Sequence, residues 1–230
     1  AFTIEDLYRV KGVSSVSLSP DGKTVCYTAS SSDLKNQKSG SDIYIMNADG
    51  SHTKALTEDG KSSSAVWSKD GKSIFFTNYE KGTAQIFRMN LTTCETEQVT
   101  DYELGIGSPV ISPDERYIAF TAEVYPDLGA DAKANKARME KKEQGPVQAH
   151  IADKLLYRHW TSYNDGRCNH LILFDTQTKT YKDLTPGNYS LIFVVGGGIT
   201  YQFSPDSKEI CFVSNHDEHQ EASTNADLWT

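Results

Sequence analysis

"LSPDGK", at residues 18–23, is a polar turn between two apolar segments, and close copies of it recur along the chain. The copies are "WSKDGK" at 67–72, "ISPDER" at 111–116 and "FSPDSK" at 203–208. In the first copy Pro20 sets φ for a type I turn, Asp21 can hydrogen-bond nearby backbone, and Gly22 supplies the positive φ that closes it. Glu115 and Ser207 replace this glycine in the last two copies, so we expect strain or a different closure there.

The spacing of the turn serines gives the size of the repeated unit. Ser68 follows Ser19 by 49 residues, Ser112 follows Ser68 by 44, and Ser204 follows Ser112 by 92. Within a unit the pattern reads strand, tight turn, strand, loop, strand, tight turn, strand. Periods of about 45 residues with this pattern are typical of β-propeller blades. The sequence therefore predicts an all-β propeller built of four-stranded antiparallel blades.

The predicted blades occupy residues 13–57, 63–100, 107–185 and 198–230, and the last lacks its final strand. Closed propellers have about four to eight blades, and an open array would expose unpaired strand edges. We therefore expect residues 1–230 to be a partial propeller domain, truncated at about three and a half blades, that belongs to a longer protein.

The third unit carries a helical insertion, which we place at residues 122–168. Its segment "ADAKANKARMEKKEQ" at 130–144 is rich in helix formers, and Gly145–Pro146 ends the helix. Because few of its positions are apolar, this helix either faces solvent or packs on something outside the chain. Further on, "NDGR" at 164–167 predicts a hairpin turn.

Functional residues are expected where the repeat is broken, on the face that carries the loops between second and third strands. The insertion contains Arg158, His159 and Trp160 next to an apolar pair. Trp together with Arg is favoured at binding surfaces, but a Trp that covers the sheet fits the pattern equally well. We take these three residues as candidates for substrate binding.

A second candidate is the acidic loop at residues 215–227, predicted on the same face. Glu218 and Glu221 could hold a substrate amine, although a solvated acidic loop is the plainer interpretation. His216 and His219 also lie here, but a loop without a rigid framework is a poor metal site. We therefore predict neither a metal nor a cofactor.

Several functional classes are excluded by composition and motifs. The net charge of −8 argues against a nucleic-acid partner, and the apolar run at 191–199 is too short to span a membrane. The chain contains no G-x-S-x-G, P-loop or H-E-x-x-H motif, so it offers no catalytic residues. None of the four cysteines forms a CxxC pair, and Cys26 and Cys211 are expected to be small buried residues in equivalent strands.

The unit strand–"SPDGK"–strand–"DIYIMNADGSHTKALT" resembles the propeller repeats of TolB-like proteins and of the prolyl oligopeptidase family. The insertion followed by "LLYRHWTSYNDGRCNHLILFD" at 155–175 is similar to the bacterial dipeptidyl peptidase and acylaminoacyl peptidase branch of that family. This resemblance implies a propeller followed by an α/β-hydrolase domain, beyond residue 230, that carries a Ser-Asp-His triad.

The same resemblance implies a periplasmic or secreted serine exopeptidase whose propeller gates access for short peptides. Its partners would be peptide substrates and the hydrolase domain of the same parent, a homodimer is compatible with the resemblance, and this fragment alone would be inactive. Acidic propeller groups would bind the peptide's amino terminus, with Glu140, Glu143, Glu218 and Glu221 as the candidates. The alternative is a TolB-like propeller that binds another protein without catalysis.

Overall fold

Antiparallel sheets follow one another along the chain in the computed structural model, which describes residues 2–152, 155, 157–191 and 200–230. The chain divides into two units, Ala1–Asp101 and Tyr102–Thr230, and two blades lie in each. The prediction of an all-β propeller of four-stranded antiparallel blades with a helical insertion is confirmed.

The first unit begins with a short helix, α1 (Ile4–Arg9), and continues with two four-stranded sheets in sequential strand order. The strands of the first blade are β1 (Gly12–Leu18), β2 (Thr24–Asp33), β3 (Lys38–Asn47) and β4 (Lys54–Ala55). Those of the second blade are β5 (Ser62–Trp67), β6 (Ser73–Asn78), β7 (Gln85–Asn90) and β8 (Thr96–Gln98).

The second unit contains the interrupted third blade and a three-stranded fourth sheet. In chain order its elements are β9 (Gly107–Ile111), β10 (Tyr117–Val124), α2 (Ala132–Glu143), β11 (Arg158–His159), β12 (Ser162–Tyr163), β13 (Cys168–Asp175), β14 (Thr180–Asp183), β15 (Tyr201–Phe203), β16 (Ile210–Ser214) and β17 (Asp227–Trp229). The third blade has the order β9-β10-β13-β14, and the fourth has β15-β16-β17. Within the described residues, neither helix is long and apolar enough to cross a bilayer.

A serine–aspartate hydrogen-bond pattern closes every repeated turn. Ser19 Oγ donates to Asp21 Oδ1 over 2.7 Å and accepts from the Thr24 amide at 2.9 Å. The Gly22 amide donates to the Ser19 carbonyl at 2.9 Å. The same bonds recur in the turns that begin at Ser68, Ser112 and Ser204. In the sequence this serine served only to measure the spacing of the repeat. In the structure it ties the first two strands of each blade together.

The turn conformation survives the loss of glycine. Glu115 and Ser207 have φ of 61° and 63°, close to the 72° of Gly22, and their amides make the same bond to the turn serine. Both residues therefore adopt the strained left-handed conformation, as expected. The different turn closure that was the alternative does not occur.

A threonine closes the other side of each four-stranded blade. Thr57, Thr100 and Thr185 each follow the fourth strand, and each Oγ1 accepts the first core amide of the third strand at 2.9 Å. The donors are the amides of Ile43, Ile86 and Leu171, all nearly or fully buried. Each threonine thus satisfies a buried amide where the outer strand has already ended.

Each unit has its own apolar core. In the first, Ile43, Ala65, Ile74, Phe76 and Met89 pack around Cys26; in the second, Ala119, Leu171, Leu191, Tyr201 and Phe203 form the cluster. Burial raises the pKa of the Cys26 thiol to about 11, as expected for an unreactive core residue. Cys211 is only half-buried, so the expected equivalence of the two cysteines holds for strand position but not for burial.

A charged pair is buried in the third blade beside the insertion. His170 on β13 is fully buried, with Nδ1 2.7 Å from Asp183 Oδ2 and Nε2 2.9 Å from the Gly187 carbonyl. Both ring nitrogens therefore face acceptors, which suits the doubly protonated ring. Burial lowers the pKa of His170, but the hydrogen bonds and the charge of Asp183 outweigh it and raise the pKa to about 9.

The left-handed turn position gives a first prediction. Gly22→Ala should lower the free energy of unfolding by about 1 kcal/mol, because the added Cβ meets open space and only the positive φ opposes it. Glu115→Gly should raise it by about 0.5–1 kcal/mol by relieving the same strain. Urea denaturation of both variants checks the pair, and a neutral Gly22→Ala would contradict the argument.

The buried pair predicts how stability depends on pH. The folded pKa of His170, about 9, exceeds its ordinary value of 6.5, so the stabilisation is complete below about pH 6.5 and is lost as pH rises through 9. The stability difference between the wild-type chain and His170→Gln should therefore shrink by about 3 kcal/mol between about pH 6 and pH 10. Asp183→Asn should remove the same pH-dependent part, and a difference independent of pH would refute the charged pair.

Candidate functional site

The insertion, residues 125–167, leaves the third blade from a long two-stranded ladder. β10 and β13 pair without interruption from Tyr117 opposite Asp175 to Val124 opposite Cys168. The two ends of the insertion are therefore held side by side at the end of the blade opposite the serine–aspartate turn. A loop that starts from such a ladder has a fixed base, which is how propellers present variable segments.

Helix α2 is anchored by a buried polar residue instead of an apolar stripe. Asn135 is fully buried; its Oδ1 accepts the Tyr125 amide at 2.7 Å, and its Nδ2 donates to the carbonyls of Gly129 and Asp131 at 3.0 and 2.8 Å. Asp131 caps the helix by accepting from the Ala134 amide. Most positions of the helix are exposed, as expected for a helix that faces solvent, and these hydrogen bonds fix it to the base of the insertion.

Charged contacts hold the outer surface of the same helix. Arg138 makes two 2.7 Å hydrogen bonds to the carboxylate of Asp127, and its guanidinium lies 4.7 Å from the ring centre of Tyr125. Lys136 pairs with Glu103 at 3.3 Å. A bidentate pair stacked on a ring is the kind of surface ion pair that orients a helix.

Between α2 and the β11–β12 hairpin lies a cleft of about 320 Å³, here called the insertion cleft. Its walls include Tyr125, Met139, Glu143, His150, Tyr163 and Arg167. The His150 and Tyr163 rings stack in parallel at 4.2 Å along one wall. Glu143, one of the candidate amine ligands, is exposed on the rim, while Glu140 is exposed elsewhere on α2.

The predicted "RHW" residues lie on a very short hairpin. Arg158 pairs with Tyr163 and His159 with Ser162, while Trp160 occupies the turn with φ of 51°. Trp160 is 83% exposed, so it does not cover the sheet. Arg158 is also exposed, and the side chain of His159 lies outside what the structure describes. The hairpin therefore presents a large aromatic and a cation to the surroundings of the insertion.

The "NDGR" turn has a different role from the predicted one. It joins β12 to β13, which do not pair with each other among the described strands, so it is not a hairpin turn. Instead it ties the insertion to its base: Arg167 bonds Asp165 at 2.9 Å and Glu123 at 3.1 Å, and Lys142 donates to the Asp165 carbonyl at 3.1 Å. Local hydrogen bonds, and not strand pairing, determine this turn.

The loop between β16 and β17 contains the other candidates. Glu218 is exposed, and Glu221 lies in a short 3₁₀ turn, Gln220–Ala222, with its side chain outside the described part. The carboxylate of Asp217 is already hydrogen-bonded within the loop, since Ser223 Oγ and Asn225 Nδ2 both donate to it. Glu218 is thus better placed than Asp217 to meet a ligand.

His216 has a packing role. Its ring lies 3.9 Å from that of Tyr189 and 4.1 Å from that of Trp229, measured between ring centres. This stack ties the loop to the end of the third blade. Within the described residues, no three His, Cys, Asp or Glu side chains come together as a metal site would require.

The insertion and the acidic loop leave their blades at equivalent ends. Both connect a second strand to a third, and the two serine–aspartate turns at the opposite end touch, with the Asp114 amide donating to Ser207 Oγ at 3.1 Å. The topology thus places both groups of candidates on one side of the second unit. The cleft residues Tyr125, His150 and Tyr163 carried no motif and were not predicted, since only the fold of the insertion assembles them.

Comparison with known proteins identifies relatives of the propeller along nearly the whole chain. A family model described as the TolB beta propeller domain matches residues 5–144, more than half of the chain. Over 224 residues the chain is 31% identical to dipeptidyl-peptidase 5 of Porphyromonas gingivalis, which covers 94% of this chain and 32% of that protein. The chain thus spans about a third of that relative.

Solved structures show the same fold at low identity. An acylaminoacyl peptidase in complex with Z-Gly-Gly-Phe-chloromethyl ketone matches with a TM-score of 0.67 and 17% identity, over 97% of this chain and 32% of that one. The β-propeller domain of the Trilobed protease from Pyrococcus furiosus matches with a TM-score of 0.53 and 16% identity, over 97% and 55%.

The resemblance drawn from the repeats and from residues 155–175 is confirmed at the level of the propeller domain. The family match ends at residue 144 and does not reach the Arg158–Trp160 hairpin. The chain belongs to the TolB β-propeller domain family, and its propeller resembles those of dipeptidyl and acylaminoacyl peptidases.

Proposed function

We propose that this chain is the substrate-gating and substrate-binding propeller domain of a periplasmic or secreted serine exopeptidase that removes dipeptides from short peptides. One observation carries the proposal. The regular blade pattern is broken by an anchored insertion that displays Arg158 and Trp160, in a chain similar along 94% of its length to a dipeptidyl peptidase. A catalytic α/β-hydrolase domain would follow the propeller in the parent protein.

The roles of the hydrolase domain and the propeller follow from the chemistry of the side chains that each would supply. The hydrolase domain would supply the nucleophile, its base and the oxyanion hole, and the propeller would limit access to short, unfolded peptides. Trp160 offers an exposed ring against which a peptide can pack, and Arg158 offers a charged donor for its carbonyls or carboxylate. Glu218 and Glu221 would pair with the free amino terminus on the same side.

A second candidate function is supported by the family match itself. A TolB-like propeller could hold another protein without any catalysis, and the exposed aromatic of the hairpin suits such an interface equally well. The two functions differ in whether the full-length parent hydrolyses peptides. Homodimerisation of the parent is compatible with either and is measured by light scattering.

The peptidase proposal predicts a contrast between fragment and parent. The 230-residue chain should not hydrolyse dipeptidyl-p-nitroanilides, because the catalytic triad would lie outside it, whereas the intact parent should. Steady-state release of nitroaniline measures both. Activity in the fragment, or an inactive but folded parent that captures a protein partner, would reject the peptidase in favour of another function.

Amine recognition predicts a split in kinetic constants. In the parent, Glu218→Gln and Glu221→Gln should each raise KM about tenfold for dipeptides with a free amino terminus, by removing a charge-assisted hydrogen bond, and should leave N-acetylated substrates unchanged. Arg158→Ala should raise KM for both kinds of substrate. Glu97→Gln, an exposed change on β8, is the matched control. Equal effects on free and acetylated substrates would argue against the amine site.

A further inference from the structure

The insertion cleft contains a buried polar group that the proposed gate does not explain. Tyr125 is only 6% exposed and lines the cleft, yet its hydroxyl has no hydrogen-bond partner among the described residues. A buried hydroxyl without a partner costs about 1–3 kcal/mol. Burial, followed by the charge of Asp165, raises the pKa of Tyr125, so the hydroxyl stays protonated and can donate.

The walls of the cleft are held in place independently of any ligand. Gln148 Nε2 donates to the Glu143 and Gly145 carbonyls at 3.0 and 2.8 Å, which folds residues 145–150 back over the end of α2. Arg167 Nη1 contacts Met139 Sδ on α2 at 3.7 Å. The first two bonds hold the segment to the helix backbone and the third joins two lining side chains, so the cleft is a preformed feature of the insertion.

The chemistry of the lining indicates the kind of ligand. Met139 and the stacked His150 and Tyr163 rings offer a polarisable surface for a flat group. The charges balance, because Lys142 and Arg167 offset Glu143 and Asp165, and Arg167 is already paired. A neutral ring with a polar tip suits such a site better than a free cation or anion does. A volume of about 320 Å³ is sufficient for one aromatic side chain.

We propose that the insertion cleft binds a tyrosine side chain of a peptide, whose phenol hydroxyl becomes the partner of the Tyr125 hydroxyl. The ring would lie along Met139 and the His150–Tyr163 stack, while the peptide backbone remains at the rim near Glu143. The choice of a peptide as ligand rests on the proposed function. The side-chain class rests on the geometry of the cleft alone.

Binding of small amides to the 230-residue chain tests the pocket apart from catalysis. N-acetyl-L-tyrosinamide should bind in the millimolar range, about fivefold more tightly than N-acetyl-L-phenylalaninamide, by the value of one neutral hydrogen bond. N-acetyl-L-alaninamide should show no binding. Because these probes have no free amine and no scissile dipeptide, the result does not depend on peptidase activity. Chemical-shift perturbation of the cleft residues gives both affinity and location.

Two conservative variants separate a binding role from a structural one. Tyr125→Phe should remove the preference for tyrosinamide over phenylalaninamide and leave the melting temperature unchanged or higher, since it deletes an unsatisfied hydroxyl. Tyr102→Phe is the matched control: Tyr102 is also buried, but its hydroxyl donates to the Ala130 carbonyl at 3.3 Å. It should lower the melting temperature and keep the preference.

Each result of these binding experiments either supports or overturns the proposed pocket. A fivefold preference that disappears in Tyr125→Phe and persists in Tyr102→Phe supports the pocket. Equal affinity for all three amides, an unchanged preference in Tyr125→Phe, or shifts confined to residues outside the cleft would overturn it. An active parent peptidase with no tyrosinamide binding would reject the pocket alone, whereas tyrosinamide binding with an inactive parent would reject only the peptidase.

Discussion

Each blade of this protein depends on a serine hydroxyl that both donates and accepts within one tight turn. In the first blade Ser19 Oγ gives its hydrogen to Asp21 and takes the amide of Thr24, and the same bonds recur in all four copies. The turn fixes the register of the first strand pair, and with it which side chains face the core. The threonines after the fourth strands complete each four-stranded blade from the other side.

Because local hydrogen bonds define each blade, the third blade can carry a large insertion and keep its core. The β10–β13 ladder holds the two ends of the insertion in register, and the buried His170–Asp183 pair lies in the same blade beside it. The insertion itself is held by hydrogen bonds and ion pairs, chiefly those of Asn135, Arg138 and Arg167. Polar anchoring of this kind is directional, so it fixes a helix whose sequence has no apolar face.

The repeat could be read from sequence because each of its signals is local. Turn residues, alternation and spacing all act within one unit, and they gave the all-β blades, the helix and the interrupted third unit. The predictions that were wrong concern features that depend on contacts between distant parts of the chain. "NDGR" has the composition of a hairpin turn, but β13 pairs with β10, so the turn bonds its own side chains instead. The burial of Cys211 similarly depends on its neighbours across the sheet.

The blade period, the chemistry of the turns and the place where the repeat breaks could all be predicted from the sequence, because they follow from neighbouring residues and their backbone preferences. Which residues of the insertion come together depends on the folded chain. Tyr125 directly follows β10, His150 follows a helix and Tyr163 lies on a hairpin, and no spacing rule connects them. Likewise, only the fold shows that Trp160 faces outward, that Asp217 is occupied within its own loop and that a tyrosine hydroxyl is buried without a partner. Burial and partnership are properties of the packed chain, so they become visible only once the chain is folded.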